Sequence, residues 1–212
     1  MFASLRTVAC AFLLGSAAAF GAGFSFTGNF AQDNDIQLFQ VTMATDGVLT
    51  IQTFGYAGGL NQAGNNISAG GFAPALSVFD STGTLIAADN LGGSVPNCFG
   101  RGIDPTTGFC FDAIVYDSSN LPLNLVAGLY TVVLTQQGNT AVGNLSDGFQ
   151  YDAANLNDPS FTGTNSGFPG QTFVDPFGSS FRTSAWAVDF VGDTLADVGQ
   201  VPEPGALSLF LI

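Results

Sequence analysis

The chain of 212 residues sets 16 acidic side chains against three arginines, with no lysine and no histidine, for a formal net charge of −13. Nucleic acid and anionic lipid surfaces are excluded as partners, because polyanions are held by many Lys and Arg contacts. Ser-His-Asp, Cys-His and Ser-Lys catalysis, and zinc sites built on imidazole, lack their residues. Fifteen of the acids are Asp and the one Glu is Glu203, so helical bundles and coiled coils are poor solutions. A hydrophobic content of 46% with 21 Phe still fills a core and argues against disorder.

In chain order, residues 1–23 read as a secretory signal peptide: Arg6, the apolar run Val8 to Leu14, then Ser16, Ala17, Ala18 and Ala19. Cleavage after Ala19 or after Gly21 satisfies the small-x-small rule. The run is shorter than the ~20 residues that span a bilayer, so any membrane association through it is transient. Cys10 precedes most of that run behind a poor lipidation box and leaves with the signal. Export then leaves Arg101 and Arg182 as the cations facing all 16 acids.

Residues 24–198 form one predicted domain. Apolar side chains alternate over Phe24–Thr27, at Phe39, Val41 and Met43, at Leu49, Ile51 and Thr53, and at Tyr130, Val132 and Leu134. Trp186, Val188 and Phe190 repeat the pattern, with Ala185, Ala187 and Asp189 on the opposite face. Period-2 segments separated by Gly, Asn, Asp and Pro predict half-buried antiparallel strands, hence an all-β, two-sheet sandwich of jelly-roll-like form. Leu76–Phe79 and Leu85–Ala87 flank an Asp80-Ser81-Thr82-Gly83 turn and predict a hairpin. The long segment from Gly143 to Ser180 holds Phe149, Tyr151, Phe161, Phe168, Phe173 and Phe177 among turn residues. These rings either cap the open ends of the sandwich or stack on sugars; capping is the favoured reading, since exposed aromatic clusters cost solubility.

Cys98 and Cys110 remain after signal removal and are expected to form a disulfide in an exported protein, worth about 3 kcal/mol in the chain-entropy model. Calcium is the cofactor that the composition favours, with candidate ligands Asp33, Asp35, Asp80, Asp89 and Asp112 at loop edges. Their spacing matches no EF-hand, and solvated turn aspartates are the competing reading. A carboxylate pair is the one catalytic device still available, and no motif marks it.

The C-terminal stretch Val201-Pro202-Glu203-Pro204 followed by an apolar run resembles the PEP-CTERM sorting signal of Gram-negative bacteria. The resemblance implies recognition by an exosortase-type processing enzyme and delivery to the periplasm, cell surface or extracellular space. The same tail motif occurs on some bacterial ice-binding proteins. Only eight residues follow Pro204, about 12 Å as a helix, and no basic cluster follows. The tail, residues 199–212, is therefore read as incomplete: either the sequence stops short or the anchor is lost. Asp33–Phe39, Leu76–Ala87 and Ala127–Leu134 resemble pieces of the bacterial pre-peptidase C-terminal type of sandwich. A group of PEP-CTERM proteins carries a Gly-Gly-flanked loop like Tyr56–Gly59 through Gly70–Pro74, with Asp where Ala73 stands here, which weakens a metal role for that loop.

The expected function is that of an exported, non-catalytic surface or extracellular-matrix protein, in the setting of biofilm and exopolysaccharide that the resemblance implies. A carbohydrate-binding or ice-binding module is the first alternative and a carboxylate-dependent glycosidase the second. Extracellular polysaccharide is the expected partner beyond the processing enzyme.

Overall fold

The computed structural model describes residues 22–89, 104–115, 122–175 and 180–201. It confirms an all-β protein built on two antiparallel sheets. One sheet has four strands in the order β1 (Ala22–Asn29), β10 (Ala185–Gly192), β3 (Gly47–Thr53) and β8 (Leu123–Leu125). The other has five, in the order β11 (Leu195–Val201), β2 (Gln37–Met43), β9 (Gly128–Gln136), β6 (Pro74–Phe79) and β7 (Leu85–Asp89). A small hairpin, β4 (Gly59–Leu60) with β5 (Asn66–Ile67), stands apart from both. The one α-helix among the described residues, α1 (Phe161–Ser166), has six residues, and no described helix is long and apolar enough to cross a membrane.

Alternation decides which face each strand buries. Phe39, Val41 and Met43 of β2, Leu49 and Ile51 of β3, Tyr130, Val132 and Leu134 of β9, and Trp186, Val188 and Phe190 of β10 belong to one core cluster. Phe39 is fully buried, with ring centroids 5.2 Å from Phe26, 5.1 Å from Phe190 and 6.0 Å from Trp186, so aromatic rings fill the space between the sheets. Gly28 lies directly opposite Trp186 in the β1/β10 register, and a Cβ there would overlap the indole.

The Asp80 turn behaves as its chemistry dictates. Asp80 Oδ1 accepts the Thr82 and Thr84 N–H groups at 2.9 and 3.0 Å, and Gly83 takes φ +83°, which closes the β6/β7 hairpin. β6 departs from simple alternation, since all six of its residues are buried. The outer face of its sheet is covered by the chain after β9, where Phe79, Val133 and Phe149 form a second cluster with Leu145 packed against it. β1 starts two residues before the expected domain start, and β11 runs three residues past its expected end, to Val201.

Candidate functional site

The five aspartates expected at loop edges are all tied to backbone N–H groups. Asp33 is fully buried and accepts from Thr162 N, Thr162 Oγ1 and Phe173 N at 3.0, 2.5 and 2.6 Å, which anchors α1 and the following loop beneath the β1–β2 connection. Asp35 accepts from Ala31 N and Gln32 N. Asp80 holds its own turn, and Asp89 at the end of β7 accepts from Ile114 N at 2.8 Å. Asp112 is fully buried, with Oδ1 accepting from Thr53 Oγ1 and Tyr56 N, both at 3.0 Å, and Oδ2 from Ala57 N at 2.8 Å. A carboxylate takes such N–H donors because they satisfy otherwise orphaned backbone groups with charge-assisted bonds. Among the described residues, no three His, Cys, Asp or Glu side chains gather in a group that could hold a metal ion.

Sequence reasoning missed a polar cluster at one end of the sandwich. The side chain of Arg182 is nearly fully buried. Its Nη2 donates to Asp104 Oδ2 and to the Tyr56 carbonyl, both at 2.9 Å, and its Nε donates to the Gly71 carbonyl at 3.0 Å. Asp175 Oδ2 stands 4.0 Å from Nε and accepts the Tyr56 hydroxyl at 2.6 Å. The guanidinium carbon lies 3.9 Å from the centre of the Tyr56 ring, a cation–π contact in a desolvated place. Burial pushes the Asp104 carboxyl up, but Arg182 and the Thr106 and Thr107 N–H groups outweigh it and leave the carboxyl below its ordinary value. Burial and then the Asp175 carboxylate push the Tyr56 hydroxyl far up, so it stays a donor. Every polar contact in this cluster runs between loops, and the cluster is a clasp. The available signal was scarcity: Arg182 is one of two cations in the predicted domain.

Two glycines let the loops meet there. A Cβ on Gly71 would overlap the Ala185 carbonyl and lie 2.6 Å from the Gly55 carbonyl, so the two ends of the Gly-Gly-flanked loop can touch only without side chains. The loop aromatics mostly cap: Phe149, Phe161 and Phe173 are buried, and the Tyr151 ring stacks on Phe161 at 4.0 Å. Phe168 and Phe181 are exposed but meet edge to face at 63°, which is no flat platform. Phe177 and Cys98 lie outside the described residues; Cys110 is buried with Tyr56 and Phe111.

Burial sets a pH dependence. Desolvation raises the Asp33 carboxyl against the bonds from Thr162 and Phe173, and raises Asp189 against those from Ser25 and Gln62. A carboxyl whose folded value is raised favours the folded state increasingly as pH falls through that value toward the unfolded one. Asp104, whose folded value is lowered, contributes stability above the unfolded value and loses it below. The melting temperature should therefore rise as pH falls from 7 toward the ordinary carboxyl value of 3.8 and drop beneath it. Relief of the −13 self-repulsion acts in the same direction as the rise. Thermal melts across pH check this; a monotonic loss from pH 7 downward would contradict it, and Asp33→Asn with Asp189→Asn should flatten the rise.

Comparison with known proteins returned no matching family model, curated protein or solved structure.

Proposed function

We propose that this chain is an exported, non-catalytic β-sandwich of the bacterial surface or extracellular matrix, sorted through its V-P-E-P tail by an exosortase-type enzyme. The observation that carries the reading is that residues 22–201, the stretch between the two sequence signals, hold a two-sheet sandwich with one large core cluster that draws on both sheets. Val201 pairs with Leu38, and its carbonyl accepts from Gln37 Nε2 at 3.2 Å.

Non-catalysis is supported by the use of the carboxylates: those with the deepest burial hold loops together and are unavailable as an acid and base pair. Cys98 and Cys110 are proposed to form a disulfide, which suits an oxidising destination. Expression of the whole chain in a Gram-negative host tests the reading. The expected result is protein in the periplasm or medium with a mass that places its N-terminus at Phe20 or Ala22. It should also take up no thiol-alkylating reagent until reduced. Protein that stays cytosolic and retains Met1 would overturn it.

A further inference from the structure

We propose that the groove between the β1/β10 pair and the β4–β5 hairpin binds a short, uncharged saccharide segment. The groove encloses about 420 Å³ and is bounded by Thr27 to Asn29 of β1, Ala185 and Trp186 of β10, Gly55 after β3, and Asn66, Ile67 and Ser68 on the hairpin side. That volume falls in the range of small-ligand sites, ~300–1,000 Å³.

Its chemistry is selective. The polar side chains are two hydroxyls, Thr27 and Ser68, and two amides, Asn29 and Asn66, with no charged group in the lining. Thr27, Asn66 and Ser68 make no side-chain hydrogen bond with any described residue, and Asn29 only accepts one, from Ser184 Oγ at 3.4 Å. Uncommitted neutral donors and acceptors are what sugar hydroxyls pair with, while a net charge of −13 repels acidic polysaccharide.

Three residues of β1 line the groove. Beyond them the turn of the hairpin is tied down, with Gln62 N donating to Asp189 Oδ2 at 2.6 Å and Ala63 N to Ser25 Oγ at 3.1 Å. The site therefore suits a compact ligand better than an extended one. The same ties, with Asn65 N donating to Asn61 Oδ1 at 2.7 Å, fix the wall before any ligand arrives and lower the ordering cost of binding.

The test is native electrophoresis of the folded protein through gels containing soluble β-glucan, dextran, mannan or alginate, followed by calorimetry with oligosaccharides of any polymer that retards it. Retardation by at least one neutral polymer but not by alginate is expected. Asn66→Ala combined with Ser68→Ala should weaken that binding at least tenfold. Both positions are exposed, so the melting temperature should hold. Retardation by none of the neutral polymers, equal binding by the double variant, or preferential capture of a peptide copying residues 185–192 would each overturn the proposal. The groove and its test do not depend on export: glycan binding by a protein that stays cytosolic would defeat the sorting reading alone, and export without glycan binding would defeat this one alone.

Discussion

Replacing Arg182 with Met should destabilise the protein by about 3–5 kcal/mol, the range for removing one partner of a buried ion pair. Its side chain is 4% exposed and that of Asp104 is 2% exposed, so water cannot take over the lost contacts. Met fills much of the volume but takes the guanidinium away from the carboxylates of Asp104 and Asp175. It also leaves the Tyr56 and Gly71 carbonyls without their donor. Arg182→Lys should recover only part of the loss. One ammonium cannot reach acceptors on both edges of a guanidinium plane, nor lie flat on the Tyr56 ring at 3.9 Å. Urea denaturation measures both. A loss under about 1 kcal/mol for Arg182→Met, the size of a surface pair, would show that the cluster is not the clasp described.

Asp112→Ala should cost on the order of 4 kcal/mol, because three buried donors lose their acceptor and each orphaned group costs roughly 1–3 kcal/mol. Thr53 can turn its hydroxyl elsewhere; the Tyr56 and Ala57 N–H groups cannot. Asp112→Asn should fall between, since it keeps one carbonyl oxygen and turns an amide NH₂ toward the other donors. The loss should be the same with and without calcium. Denaturation of the two variants in EDTA and in calcium separates a tie of the fold from a metal ligand: a cost that appears only in calcium would assign Asp112 to a metal site.

The contrast between these residues and the strands shows what the sequence could reveal. Strand faces are local: the alternation at Phe39, Val41 and Met43 or at Trp186, Val188 and Phe190 needs no knowledge of the partner strand, and both segments fold as that period predicts. The Asp80 turn is equally local, with donors two and four residues away. Asp33 and Asp112 have the same residue type in similar surroundings, yet their donors lie 129 and 59 residues away in Thr162 and Thr53. A turn aspartate and a cross-chain tie look alike until the fold brings the N–H groups together. β6 was legible as a strand but not as one buried on both faces, because its outer cover arrives from Phe149 and Leu145, in a stretch without periodicity. The groove was invisible for a related reason. Thr27 and Asn66 carry no motif, and only the folding of the Gly-Gly-flanked loop beside β1 sets them across from each other.

The hydrogen bonds of Asp33, Asp35, Asp80, Asp89 and Asp112 make these carboxylates structural ties of the sandwich, so the fold is expected to need no metal. Thermal melting of the purified protein at neutral pH, first in EDTA and then with calcium titrated into the millimolar range, tests it most directly. Superimposable transitions are predicted. A saturable rise in the melting temperature with calcium, reversed by EDTA, would contradict the account.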